Sequence, residues 1–449
     1  MKTILPVELL SLAQKLNNPI YVVGGFVRNF LITGKPSSDI DLASNTDTDQ
    51  LIEILEREGF IVHSVYKKLG TVKFQKNGSL YEYTRFRTES YKDGGKHTPD
   101  ELLFTDDITA DALRRDFKCN AIYYDVKNCE IVDPLGGVED IKNKRISTVT
   151  DAEKVFSSDG LRLMRLARFS AELGFTPDEE THKGAKKYAL NIKDISVERI
   201  FSELKLILNA DSKYPFSPKD AHYQGLKILE KTDVLGYIFP ELIMGKGMPQ
   251  RRDFHDYDVL EHSLRCVLYA HPSVRLDALL HDIGKPFCLK RDNAYKLHDI
   301  EGVWIAENIL KRLKASKKEI DRVKFCIGAH MFDLKNDVKE SKIRRFIVKN
   351  IKNLDYLLWV KQADYSACKD DLNENLAVKK WRAILEKMKL EKVPFSLKEL
   401  KVSALDLIGL GAKEKDLSII LNELWDKVII DPKLNEKERL MTLAKKLIK

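Results

Sequence analysis

Two aspartates spaced as in a strand, Asp39 and Asp41, follow shortly after the pair Gly24-Gly25, and the two features together can serve phosphoryl chemistry. Side chains alternate along a strand, so Asp39 and Asp41 point the same way while Ile40 and Leu42 face a core. Two carboxylates on one face can hold the pair of Mg2+ ions that clamp a nucleoside triphosphate for in-line transfer. A Gly-Gly break lets backbone come close to such a ligand. The helical spacing of Phe26 to Thr33 places Gly24 and Gly25 just before a helix N-terminus, where free N–H groups meet phosphate oxygens. Arg28, one turn in, adds a charged fork on the same side. Either feature alone is usually structural; their combination in one short stretch carries the chemistry.

The elements that must position these residues follow from the pattern around them. Ile20 to Val23 reads as a buried strand, and Gly34-Lys35-Pro36 separates the helix from a second strand at Asp39 to Leu42. Asp49 to Glu58 is a helix that stops at Gly59. Strands follow at Phe60 to Val65, Thr71 to Gln75 and Leu80 to Arg87. Glu82 supplies a third carboxylate if its strand lies beside Asp39 and Asp41. Thr88 to Ala110 is polar, with Gly94-Gly95 and Pro99, and reads as a long loop of the functional or disordered kind.

Two later stretches carry charge in useful patterns. In Asp111 to Ala121, Arg114, Arg115, Asp116 and Asn120 can bind triphosphate oxygens and a ribose hydroxyl together, although a salt-bridged helix cap has the same composition. From Glu153 the pattern is helical. Spacing of three puts Asp159, Arg162, Arg165 and Arg168 in one stripe, which is either an exposed ion-pair ladder or a reader of bases. A carboxylate accepts from the exocyclic amine of cytosine or adenine, and a neighbouring guanidinium donates to the adjacent ring nitrogen. Uracil and guanine present the opposite pattern, so a fixed Asp159-Arg162 pair admits C and A without a template.

Composition sets the class. The 449 residues are 43% hydrophobic and 32% charged, which describes a soluble globular chain of several domains. Glu8 interrupts the apolar start and no small-residue cleavage site follows, and no uncharged apolar run reaches the length of a membrane span. Six scattered cysteines without C-x-x-C pairs point to reduced thiols and a cytoplasmic location. The net charge of +8 lies in residues 341–449, with 24 Lys+Arg against 16 Asp+Glu, so the C-terminal part suits a phosphate backbone partner. Solvated lysine-rich helix faces are the bland alternative.

The second half also gathers His255, His262, His281-Asp282, His298, His330 and Asp364. His281 and Asp282 end an apolar helical run before Gly284. A His, a His-Asp doublet and a distant Asp can converge on a divalent metal in a helical bundle.

These motifs resemble known families. The Gly24-Gly25, Asp39-Asp41 stretch and the R-R-D-F-x-x-N-A run from Arg114 to Ala121 resemble the polymerase-beta-like nucleotidyltransferases, in particular the class II tRNA nucleotidyltransferases. Asp159 to Arg162 is similar to that family's E-D-x-x-R helix, with Ser158 in place of the Glu and Asn29 in place of an Asp after Arg28. Ile195 to Leu204 resembles the helix that braces the base pocket, with Ser196 as N-cap. His262, His281, Asp282 and Asp364 resemble the HD phosphohydrolases, with His298 and His330 as accessory positions.

The resemblance implies an α+β chain. Its polymerase-beta-like nucleotidyltransferase head, a mixed sheet with helices, occupies residues 1–150. An all-α neck with the base-reading helix (151–224), an HD-type body (225–370) and a helical tRNA-binding tail (371–449) follow. It implies addition of CCA to the tRNA 3' end from CTP and ATP, with Mg2+ on Asp39 and Asp41. Gly24, Gly25, Arg28, Arg115, Asp116 and Asn120 would hold the nucleotide, and Asp159, Arg162, Arg165 and Arg168 would complete its pocket. A second divalent metal belongs to the HD region, and neither a membrane nor DNA is expected as partner. The 88–110 segment stands where the family has the loop that helps the site change from CTP to ATP. Rival readings are CC or A addition alone, poly(A) polymerase, and a metal phosphohydrolase whose head only binds RNA.

Overall fold

Seven strands form the sheet that carries Asp39 and Asp41 in the computed structural model, which describes residues 5–35, 39–91 and 99–448. They are β1 (Tyr21–Val23), β2 (Ile40–Ser44), β3 (Ile61–Tyr66), β4 (Thr71–Lys76), β5 (Ser79–Arg85), β8 (Tyr123–Asp125) and β9 (Glu130–Val132). Their order across the sheet is β3-β4-β5-β2-β1-β8-β9. Only β2 and β5 run parallel; every other neighbouring pair is antiparallel. Alternation explains the faces. In β5, Tyr81 and Tyr83 are buried while Leu80 is 60% exposed, and Tyr81 stacks on Phe74 of β4 at 5.2 Å.

The described parts of 88–110, residues 88–91 and 99–110, hold regular structure where a loop was expected. β6 (Arg87–Ser90) and β7 (Glu101–Phe104) pair antiparallel as a separate two-stranded sheet, and a helix follows at Ile108–Leu113. The polar composition hid the pair because neither strand buries a full apolar face. Gly94-Gly95 and Pro36 lie outside the described residues.

The chain folds as two units, Met1–Ile243 and Met244–Lys449. The segment 225–243, assigned to the body from the sequence, packs with the first unit. Within the Ala221–Lys231 helix, a Cβ at Gly225 would meet Ile207 at 2.6 Å and Ala171 at 3.2 Å, so this helix lies tight against the neck helices Leu161–Leu173 and Val197–Leu208. Asp159 also departs from expectation. The helix Ala152–Ser158 ends before it, and the next begins at Leu161, so Asp159 precedes the arginine stripe instead of joining it. The break is enforced at Gly160, where a Cβ would fall 2.2 Å from the Asn191 carbonyl oxygen.

The second unit is helical. Val259–Tyr269, Arg275–Leu280, His298–Arg312, Lys317–Ala329 and Leu354–Lys369 enclose the histidines. One apolar cluster surrounds the fully buried Trp381, and another joins Leu407, Leu424 and Leu440. No described helix is long and apolar enough to cross a membrane, and all six cysteines are free.

Candidate active site

Register brings three carboxylates together. β2 pairs Asp41 with Val23 of β1 on one side and with Glu82 of β5 on the other. Ile40 and Leu42 are buried while Asp39 and Asp41 open to solvent, as alternation requires. Glu82 holds Lys73 at 2.8 Å. Crowding by the surrounding protein pushes the Asp41 carboxyl above its ordinary range; Arg115 and Lys73 pull it back, and Glu82 and Asp39 add to the rise.

The turn beside these acids needs glycine at its first position. Gly24 has φ 75° and ψ −130°, a conformation closed to other residues, and a Cβ there would sit 3.6 Å from Asp41 Oδ2. Gly25 opens the helix Gly25–Thr33, and the nearest atom to a Cβ there would be Arg28 Nη2 at 3.8 Å. The space above Asp41 and the start of that helix therefore stays open. Carboxylates clustered beside free helix N–H groups fit a divalent cation with a polyphosphate.

Arg28 lies differently from a fork reaching for solvent. It is buried, with Nε and Nη2 donating to Asn29 Oδ1 at 3.1 and 2.9 Å, Nη1 to Asn120 Oδ1 at 2.5 Å, and Nη2 to the Tyr214 hydroxyl at 3.0 Å. Asn120 donates in turn to Asp116 Oδ1 at 3.0 Å, and Arg165 donates to Asp116 Oδ2 at 2.7 Å. One buried network thus joins the glycine turn, the second signature and the neck helix. Burial by itself would raise the Asp116 carboxyl, but Arg165 and Asn120 outweigh it and hold it at about 2. Sequence spacing could not reveal this hub, because its partners come from four distant segments.

Arg115 stays nearer the acids. It donates to Tyr123 Oη at 3.1 Å and to Asp111 Oδ2 at 3.2 Å, and its charge acts on Asp41. In the neck, Arg162 donates from Nη1 to Ser158 Oγ at 3.1 Å and from Nη2 to the Arg114 carbonyl at 2.7 Å, with Asp159 Oδ2 at 4.0 Å. Ser158 therefore still grips the guanidinium. Arg162, Ser158, Arg114, Glu89 and Tyr91 line a cleft of about 600 Å³. Arg168 turns away to Glu203 at 2.7 Å and Glu172 at 3.4 Å and braces the next neck helix. Ser196 occupies the N-cap position of that helix without a side-chain cap bond.

A second polar cluster occupies the other unit. His262, His281, Asp282 and Asp364 converge: His262 Nε2 lies 3.2 Å from His281 Nε2 and 3.1 Å from Asp364 Oδ1. Burial would raise the Asp282 carboxyl, yet His281 and Lys285 hold it well below the carboxylate range. Sequence reasoning missed Lys285, whose Nζ lies 2.5 Å from Asp282 Oδ2, whereas His255, gathered with the other histidines from the sequence, meets the His262 ring edge-on at 4.8 Å. The i,i+3 spacing of Asp282 and Lys285 was the available signal.

Comparison with known proteins agrees with this anatomy. Residues 20–147 match the poly A polymerase head domain, and residues 174–244 match the probable RNA- and SrmB-binding site of polymerase A. A CCA-adding enzyme of Geobacillus sp. (strain WCH70) is 35% identical over 51% of this chain and 53% of its own length; the chain spans about half the length of such relatives. That of Ligilactobacillus salivarius (strain UCC118) is 29% identical over 95% of this chain and 92% of its own. The crystal structure of the Bacillus stearothermophilus CCA-adding enzyme in complex with CTP shares the fold, with TM-score 0.67 and 24% identity over 98% of this chain and 97% of that one. The α+β architecture, a mixed-sheet head followed by helices, is that of these proteins. Head and adjoining helical segment thus match family models of poly A polymerase type, and over nearly its whole length the chain is similar to CCA-adding enzymes, whose fold it shares.

Proposed function

We propose that the protein adds C, C and A to the 3' end of tRNA without a template, taking CTP and ATP and releasing pyrophosphate, in the cytoplasm. The observation that carries this reading is the β1-β2-β5 register, which sets Asp41 between the glycine turn and Glu82. Asp39 and Asp41 would hold Mg2+, with Glu82 as a third carboxylate once it releases Lys73. The metal, when bound, polarises the α-phosphate and lowers the pKa of the attacking 3'-hydroxyl. Gly25 and the following N–H groups receive the triphosphate, and Arg115 neutralises it. Arg28, Asn120, Asp116 and Arg165 hold these parts in register from behind.

Asp159 and Arg162 read the base, and Ser158 with the Arg114 carbonyl fixes the guanidinium. The basic helices of 371–449 hold tRNA by phosphate contacts and shape. Asp39→Ala and Asp41→Ala should each reduce nucleotide incorporation on the order of 1,000-fold, as loss of a group that stabilises transferring charge does. Unchanged incorporation would exclude this site.

His262, His281, Asp282 and Asp364 are best explained as the donor set for a divalent metal in the second unit. The burial and convergence of His262, His281 and Asp282, with Asp364 Oδ1 3.1 Å from His262 Nε2, favour this over a merely polar core. The four domains with boundaries at 150, 224 and 370 are part of the same proposal, the first neck-to-body boundary moving to residue 243.

A further inference from the structure

Tyr91 puts a half-buried aromatic ring at the wall of a polar cleft. It follows Ser90, the last residue of β6, and lines the cleft of about 600 Å³ together with Arg162 and Ser158. Core rings of the head pack on one another: Tyr21 meets Phe86 at 5.8 Å and Tyr123 at 6.1 Å, and Phe60 meets Phe74 at 5.5 Å. Among the described residues no aromatic ring meets Tyr91 in this way. Its ring faces the Arg162 guanidinium instead, whose Cζ lies 6.0 Å from the ring centroid.

A closed circuit of contacts holds this arrangement. The Tyr91 hydroxyl donates to Glu89 Oε2 at 2.7 Å, and Glu89 Oε1 accepts from Arg87 Nε at 2.9 Å and from Arg114 Nη1 at 3.4 Å. The Arg114 carbonyl accepts from Arg162 Nη2 at 2.7 Å, and Arg162 returns to the Tyr91 ring. Burial would raise the Glu89 carboxyl, but Arg114 and Arg87 hold it below its ordinary range, whereas burial and Glu89 push the Tyr91 phenol up. The hydroxyl therefore stays the donor and the carboxylate the acceptor. The ring cannot swing out of the cleft without breaking that bond.

The guanidinium is fixed on its far side. Nη1 donates to Ser158 Oγ at 3.1 Å and to the Val155 carbonyl at 3.3 Å. Nε lies 4.0 Å from Asp159 Oδ2, too far for a hydrogen bond between them, and this edge is where a base would be read. A hydrogen bond from a guanidinium to a ring nitrogen lies in the plane of both groups, so the base comes to rest coplanar with the guanidinium. A ring that faces the guanidinium then faces the base beside it as well.

We propose that Tyr91 is the platform on which the base of the incoming nucleotide stacks while Arg162 reads its edge. The proposal rests on the reading of Asp159 and Arg162 as the base-reading pair and adds the residue that holds the base in their plane. Every base has a π-face, so the ring supplies affinity and leaves the choice of C and A to the edge contacts. Adenine offers the larger face, and ATP depends on the ring more than CTP.

The test compares the full-length parent with Tyr91→Leu and Tyr91→Phe, using Mg2+, CTP on tRNA ending at C and ATP on tRNA ending at CC. Tyr91→Leu should raise the KM for ATP by roughly tenfold or more, the loss of one base–aromatic stack, with a smaller rise for CTP and little change in kcat. Tyr91→Phe keeps the ring and should return both KM values to within about fivefold of the parent, the effect of one lost hydrogen bond. Inorganic tripolyphosphate carries the phosphates without a base and should inhibit parent and variants equally. A merely structural role would weaken tripolyphosphate along with both nucleotides, and Phe would not relieve it. That pattern, or an unchanged KM in Tyr91→Leu, would overturn the platform. Arg162→Ala, assayed alongside with UTP as competitor, separates the two levels. Lost discrimination there with an unchanged KM in Tyr91→Leu overturns the platform alone, and retained discrimination overturns the base-reading pair and the platform with it. Tyr91→Met makes the same comparison if the Leu variant does not fold.

Discussion

On the proposed reading, Ser158 departs from the pattern the sequence resembles and yet keeps a contact to Arg162. A hydroxyl at 3.1 Å replaces a carboxylate beside Arg162, while the Arg114 carbonyl holds the other arm of the guanidinium. Hydrogen bonds to charged groups contribute about 1.5–3 kcal/mol. Ser158→Ala should therefore lower discrimination of C and A against U and G by roughly tenfold, read as the ratio of kcat/KM values. Equal ratios in variant and parent would remove Ser158 from base reading. Asp116 gives a pH-dependent prediction. Its carboxyl sits at about 2 in the fold against 3.8 ordinarily, so its stabilisation is complete above about pH 4 and fades as the pH falls through about 2. Asp116→Asn should lower stability by about 2 kcal/mol near neutral pH, and the gap in unfolding midpoint should close on acidification between those values. A gap independent of pH would contradict the network. Asp39 and Asp41 were legible because strand alternation alone orients them. The burial of Arg28 and Asp116 was not, because Tyr214 and Arg165 reach them from far along the chain.

At the scale of elements, the glycine turn divides its labour between two residues. Gly24 adopts φ 75°, whereas Gly25 has ordinary helical geometry with open space around it. Gly24→Ala should destabilise the protein by about 1–3 kcal/mol, the cost of holding a side chain in a sparsely populated backbone conformation. Gly25→Ala should leave the thermal midpoint almost unchanged and raise the KM for nucleoside triphosphate, because its methyl group enters the phosphate cradle. Equal melting losses for both would refute this division. Strand-turn-helix-strand order was readable here because apolar runs and breakers coincide. The arginine stripe was read too far back. Continuous helical spacing gave no sign that Gly160 must press against the Asn191 carbonyl, which ends one helix and leaves Asp159 in the junction. The β6-β7 pair escaped for a related reason: neither strand carries the alternation that burial on one face imposes.

For the molecule as a whole, the first unit contains both the carboxylates and the helix proposed to read the base, so on that proposal chemistry and selectivity share one compact unit. The second unit carries the histidine cluster and the basic C-terminal helices. The two-unit division was only partly readable: helices lie on both sides of it, and the breakers Gly245, Gly247 and Pro249 just past residue 243 were not taken as a boundary. The most direct test of the central claim supplies the full-length protein and Mg2+ with tRNAs ending at the discriminator base, at C and at CC, gives CTP, ATP, UTP and GTP singly and CTP with ATP, and sequences the ends. CTP alone should extend the first two to CC, ATP alone should add a single A to the CC end, and both together should complete CCA on all three, with UTP and GTP unused. No extension of any end, or runs of A on every end, would contradict the account.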